Sequence, residues 1–266
     1  MRELLTDLET EGADAAGGPA NPMARAQAAQ RPQQMKRFYK NVAVGEAEGG
    51  FTVLLDGRPV RTPARGLLQV PTRALAEALV KEWEAQESEI DPLSMPLTRL
   101  VNVALDRVAA EAGAVREEVA RYVGSDMLFY RAEGPDGLVE RQARHWDPVL
   151  AWAREAHGAP FFLAEGICHV AQPEESLARV HALVPQEALP LAAMHVMTTL
   201  TGSALLALAV AGGVIEADAA WQAAHVDEDW NRELWGEDEA ATARRAARRL
   251  EMDAAVALLR LGARAG

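Results

Sequence analysis

The chain has one cysteine, Cys168, in 266 residues. A single thiol rules out an internal disulfide and any multi-cysteine zinc site, and it suits a reducing compartment. Between Ile167 and His169 the expected place for it is a small buried position in an apolar strand, ahead of a nucleophile's role. Positive charge is scarce as well. Lys and Arg number 27 against 39 Asp and Glu, a net charge of −12 with a pI near 5.0. A duplex repels such a surface, so no nucleic-acid partner is expected. No GxxxxGK[ST] phosphate loop, GxGxxG, GxSxG elbow or HExxH occurs. Ser203 sits in "LTGSALLAL", where apolar neighbours offer nothing to activate it. No catalytic set emerges.

No targeting signal is expected either. "MRELLTDLETEGAD" alternates acid with leucine. A secretory signal needs a basic start and an apolar middle, and a mitochondrial presequence avoids acids. Residues 189–215 carry no Lys, Arg, Asp or Glu and are long enough to span a bilayer. His195 and the polar Thr198, Thr199, Thr201 and Ser203 interrupt them, Gly202 divides them, and no basic cluster flanks them. The segment is expected to be two helices buried at the centre of a helical domain, with no stable membrane insertion.

What is present suits one large domain or two small ones, with 49% hydrophobic and 25% charged residues. Residues 1–34 are rich in Ala, Gly, Pro and Gln, which predicts a mobile tail with at most a short helix over residues 2–10. Residues 35–71 read as a small β domain. "FYKNVAV" and "FTVLL" flank an "EAEGG" turn, Asp56-Gly57 is a type I′ hairpin signal, and "RPVRTP" and "LLQVP" give two more short strands. From residue 72 the period is helical. Thr72 is an N-cap before Leu75, Leu79 and Trp83. Asp91-Pro92 marks a helix start, with Pro96 as the alternative, ahead of the stripe Leu97, Leu100, Ala104 and Val108. Val115, Val119 and Tyr122 mark a third helix. "DMLFYRA" reads as a short apolar interlude with strand character. Trp146, Val149, Leu150 and Ala153 share a helical face that Asp147-Pro148 kinks or restarts. Residues 160–173 have strand character, and helices follow to about Leu261. The fold class is α+β, a small N-terminal antiparallel β domain followed by a larger all-helical domain over 72–266.

Two charged clusters stand out. His225, Asp229 and Glu233 stack at i, i+4 and i+8 on one helix face. With Glu239 they define one alternative, a metal-dependent hydrolase, although a solvated face is the plainer reading. Arg244, Arg245, Arg248 and Arg249 form a basic patch on the last helix, beyond the acids that favour its start. A second alternative is a general scaffold or membrane-peripheral protein acting through residues 189–215.

Seven stretches, in unbroken order over residues 36–261, carry a resemblance. "KRFYKNVAV", "LLDGRPVRTP", "EWEAQ", "IDPLSMPLTRLVNVALDRV", "YRAEGPDGL", "RQARHWDPVLAW" and "ELWGEDEA" together resemble the assembly-chaperone family of the F-type ATP synthase α subunit, known from mitochondria and α-proteobacteria. The resemblance implies a two-domain protein without catalysis or cofactor. It implies a partner, the unassembled α subunit, shielded until the β subunit docks. It also implies site residues. Trp83, with Glu82 and Gln86, matches the "EW..Q" positions, and packing of its indole against the β domain is the competing role. Glu239 matches the acid most associated with function, Glu237 and Asp238 flank it, and Glu228 matches another family acid. For each acid the competing roles are helix capping and solubility. Trp235 and Gly236 set the turn before the last helix. A monomer is expected, in a bacterial cytoplasm or, for a eukaryotic source, the mitochondrial matrix.

Overall fold

The structure, a computed structural model, describes residues 35–166 and 168–263. The tail expected over residues 1–34, with its short helix, lies outside the described residues.

Alternation of β-branched residues gives the hairpin of β2 (Val42–Ala47) and β3 (Gly50–Leu55), with Val42 opposite Leu55. At the next turn both Asp56 (φ 47°) and Gly57 (φ 80°) are left-handed, as type I′ demands. The Asp56 carboxylate accepts the backbone N–H groups of Asn41 (2.8 Å) and Lys40 (3.2 Å), which hold its pKa below the usual range. β4 (Arg58–Pro59) and β5 (Gln69–Val70) both pair with β3. Gly50 is needed there, because a Cβ would lie 2.4 Å from the Val70 carbonyl oxygen. A separate ladder joins β1 (Met35–Lys36) to β6 (Glu89–Ile90).

Helix α1 (Arg73–Glu84) starts at Thr72, whose Oγ1 accepts the Leu75 N–H, and packs on β2 and β3. It buries Leu75, Ala76 and Leu79 completely. Each leucine contributes about 1.5–3 kcal/mol. Asp91-Pro92 starts only a three-residue 3-10 turn (Pro92–Ser94), and the α-helix proper, α2 (Pro96–Val103), starts at Pro96. It continues through a π turn (Ala104–Val108) into α3 (Ala109–Gly124), which is kinked at Glu111 (φ −119°, ψ 23°), just ahead of the third expected helix.

"DMLFYRA" becomes a 3-10 turn (Met127–Phe129) and β7 (Tyr130–Arg131). Helix α4 (Asp136–His157) runs through Pro148 without a restart. Pro148 is exposed, so water can solvate the Arg144 carbonyl that loses its partner. Among the described residues, 160–173 hold only the two-residue β8 (Ala164–Glu165), parallel to β7, and Cys168 is exposed outside any strand. The apolar run around Cys168 is too short, and too broken by Gly166, to build a buried strand.

Six helices complete the chain: α5 (Glu174–His181), α6 (Ala188–Thr201), α7 (Ala204–Ala211), α8 (Ala217–Ala224), α9 (Val226–Trp235) and α10 (Glu239–Gly262). The charge-free segment is the α6–α7 pair, as expected. Gly202 (φ 68°) closes α6, and Ser203 Oγ caps α7 by accepting the Leu206 N–H at 3.0 Å. α6 is the hub, touching α2, α3, α7, α8 and α10. Among the described residues no helix is long and apolar enough to cross a membrane. One buried core runs from Val53 and Leu68 of the sheet region through Met194 and Leu205 to Met252 of α10.

Candidate functional site

Helix α9 and the first turn of α10 carry seven carboxylates between Asp227 and Glu239. Their partners sort them. α9 is seated on α4 by contacts whose partners the sequence did not pair. Trp230 lies against Gly137, where a Cβ would come within 2.9 Å of the indole. The Arg141 guanidinium covers the same ring at 5.1 Å and grips Glu233 with two bonds of 2.8 Å. That grip, with Arg141's charge, keeps the Glu233 carboxyl below its usual range. Gln142 Nε2 donates to Asp227 at 2.7 Å, and Trp146 Nε1 donates to the Ala223 carbonyl at 2.8 Å. No sequence spacing links residues 141–146 to 223–233, so only the fold reveals these ties.

α10 is held to α9 by Arg245, which grips Asp229 with both guanidinium nitrogens, while Arg232 reaches the same carboxylate at 3.2 Å. Desolvation, the largest single effect on Asp229, opposes ionisation. The Arg245 hydrogen bond and the charges of Arg245 and Arg232 outweigh it and lower the pKa. Arg249 pairs with Asp218 and with Asp253 (2.8 Å), and Arg248 donates to the Leu200 carbonyl at 2.5 Å. Most of the expected basic patch therefore fastens α10 to its neighbours.

His225 is buried, and desolvation is the main cause holding its pKa below the ordinary value. Its Nδ1 donates to the Trp221 carbonyl at 2.7 Å. Asp229 and Glu233 are held by arginines, and Glu239 lies on a different helix. The stack of His225, Asp229, Glu233 and Glu239 is thus not a ligand set, and among the described residues no group of three or more His, Cys, Asp or Glu could hold a metal.

Asp238 accepts the Ala240 and Ala241 N–H groups at 2.8 and 3.1 Å and caps α10. Three acids remain. Glu228 has only His225 Nε2 at 3.8 Å, which is no ion pair while that ring is neutral. Glu237 has only Arg232 Nε at 3.9 Å. Glu239, exposed in the first turn of α10, makes no ion pair or side-chain hydrogen bond among the described residues. At the end of α9, Trp235 is 84% exposed and Leu234 is 58% exposed. Gly236 (φ 89°) makes the turn that leaves Trp235 pointing off the end of α9. An apolar tip beside uncommitted acids can dock a protein surface.

The "EW..Q" residues lie elsewhere, at the seam of sheet and helices. Glu82 caps α2 from α1, accepting the Leu97 and Thr98 N–H groups at 2.8 and 2.7 Å. Buried Gln86 accepts the Asp91 N–H at 2.7 Å and donates to Ser94 Oγ at 3.0 Å. Trp83 is half-buried, edge-on to Tyr39 at 5.7 Å, and its carbonyl accepts the Tyr39 hydroxyl at 2.7 Å. This motif braces the seam, which is the packing role weighed against partner contact.

The match to known proteins is extensive. Residues 36–154 match the ATP12 chaperone protein family. Protein atp12, mitochondrial, of Schizosaccharomyces pombe is 28% identical over 123 residues, 43% of this chain, and the match spans only 42% of that relative's length. The solved structure of Atu1473 protein, a putative chaperone from Agrobacterium tumefaciens, is 48% identical with a TM-score of 0.83, covering 91% of both chains. Atp12 from Paracoccus denitrificans is 40% identical with a TM-score of 0.81, over 86% of this chain and 99% of that one. The chain belongs to the ATP12 chaperone family.

Proposed function

We propose that the chain is an ATP synthase assembly chaperone that holds the unassembled α subunit until the β subunit replaces it. It acts by shielding surface, as a monomer in a bacterial cytoplasm, without cofactor or covalent chemistry. The observation that carries this reading is the α9–α10 tip. Trp235 stands almost fully exposed beside Glu228, Glu237 and Glu239, while the other acids of the segment are tied to the fold. An orphan ring subunit exposes interface that is buried only on assembly, and such surface aggregates. A temporary holder needs an aromatic to enter that surface and charges that set orientation without locking the complex. Asp238 serves by presenting Glu237 and Glu239 at a capped helix start, and Trp83 serves indirectly, by bracing the seam.

The test is capture of purified α subunit on the tagged chain. Glu239→Lys should weaken capture roughly tenfold with an unchanged melting temperature, and Trp235→Ala should do the same. Capture that ignores both substitutions would discard this tip as the docking edge. Failure of the unsubstituted chain to capture α subunit at all would discard the reading itself.

A further inference from the structure

A second surface stands apart from that tip. A groove of about 1420 Å³ runs between the sheet region and a wall formed by Trp83, the 3-10 turn at Pro92 and Leu93, and Asn102 near the end of α2. Its lining includes Met35, Phe38 and Leu93, which are 64%, 65% and 74% exposed, so apolar side chains stand open to water on both walls. Three other lining residues carry a polar atom that is buried and has no hydrogen-bond partner: Trp83 Nε1, Asn102 Oδ1 and Thr62 Oγ1. Thr62 is 4% exposed. Unpaired buried polar atoms are costly, about 1–3 kcal/mol each, and here they comprise an N–H donor, an amide acceptor and a hydroxyl. A peptide backbone carries matching groups, an acceptor and a donor in every residue.

The charges at the groove are one-sided. Its two acids are already used: Asp56 takes the Lys40 and Asn41 N–H groups, and Asp91 Oδ1 caps the 3-10 turn through the Leu93 N–H at 3.0 Å. Its two arginines, Arg58 and Arg61, have no carboxylate partner among the described residues; Arg61 donates only to the Arg65 carbonyl at 3.0 Å. On a chain of net charge −12 this is a local inversion of sign.

We propose that this groove is a docking site for an extended peptide segment of a partner protein, with an apolar side chain flanked by carboxylates. The apolar residue lies against Phe38, Met35 and Leu93, and the flanking carboxylates reach Arg58 and Arg61. The backbone pairs with Trp83 Nε1 and Asn102 Oδ1 after a small side-chain adjustment. The proposal is independent of the α9–α10 tip and of the identity of the client.

The probe is a fluorescein-labelled peptide, GSEVFVESG, titrated into the full chain and read by anisotropy, with GSKVFVKSG as its charge-reversed counterpart. The expected result is saturable binding of the acidic peptide, at least tenfold tighter than the basic one. The Arg58→Glu/Arg61→Glu double variant should invert this preference, a rescue that an unfolded protein could not show. The Trp83 indole N–H resonance, identified by its loss in Trp83→Phe, should move on binding. Equal binding of both peptides, or an acidic-peptide affinity untouched by the double variant, overturns the proposal. A dimer in sedimentation that the double variant abolishes would assign the groove to a second copy and overturn it as well. So would an indole resonance that moves without peptide when Leu4, Leu5 and Leu8 are changed to Asp, because the chain's own first residues would then fill the groove.

Discussion

Glu82 separates folding from partner contact at the "EW..Q" motif. No side chain at the N-cap of α2 caps that helix, and Pro96 occupies its first turn. The free N–H groups of Leu97 and Thr98 turn instead to Glu82 on α1, at 2.8 and 2.7 Å. A hydrogen bond to a charged group contributes about 1.5–3 kcal/mol, and loss of an N-cap costs about 0.5–2 kcal/mol. Glu82 is half-exposed, so water can reach part of the site once the carboxylate is gone. Glu82→Ala should therefore cost about 2 kcal/mol. For a protein of this size each kcal/mol moves the midpoint by about 2–4 °C, so the melting temperature should fall by about 4–8 °C. Glu82→Gln keeps one acceptor oxygen and faces an NH2 toward the second N–H group, so it should recover about half of the loss. Calorimetry at fixed pH, with capture of the α subunit measured well below the midpoint, decides the question. A melting temperature within about 1 °C of the parent, with capture lost, would refute the capping argument and make Glu82 a contact residue.

Asp126 gives a pH signature. It is fully buried, and burial raises its pKa to about 6 even though Leu205 and Leu128 donate to it at 3.0 and 3.1 Å. A raised carboxyl pKa means that the folded state holds the proton longer than the unfolded one. This group's contribution is full below about pH 4 and is lost as pH rises through 6, a fall on the order of 3 kcal/mol. Denaturant titrations of the parent and Asp126→Asn at pH 4 and 7 should show the difference between them shifting that way, and a pH-independent difference would count against it. Gly137→Ala should push Trp230 off α4, cost about 1–3 kcal/mol and reduce α-subunit capture, as seen by thermal melts and pull-down. Trp235→Ala should leave stability within about 0.5 kcal/mol by the same melts, because its side chain is 84% exposed.

Local chemistry explains which features were legible in the sequence. Asp56-Gly57, Thr72 and Gly202 act on their own backbone, so each could be read where it stands. Residues 189–215 were legible because a charge-free run broken by one glycine has few places to go except a central pair of helices. Asp91-Pro92 misled because Asp-Pro caps any short helical turn, and the chain uses it for three residues before Pro96 begins again. Pro148, read as a kink or a restart, does not restart its helix, since solvent can replace the bond it removes. Cys168 was misplaced because a run of apolar letters says nothing about whether the strand has a partner, and β8 finds only β7 for two residues.

The acidic segment shows why a proposed docking edge can be hidden in plain composition. In the sequence Asp227, Glu228, Asp229, Glu233, Glu237, Asp238 and Glu239 are seven equivalent charges. The fold makes them unequal by bringing Arg141 and Gln142 from α4, and Arg245 from α10, to particular members. Those contacts are long-range, so no window of neighbours could have sorted the set. The sorting is also what would make the proposed tip usable. Acids held by arginines have their charge balanced and add rigidity to α9, whereas Glu228, Glu237 and Glu239 lack a close counter-charge among the described residues. A surface that must bind and later let go works best with a rigid seat and a few weakly shielded charges. The rigid seat limits the entropy lost on docking, and exposed charges speed encounter more than they slow release.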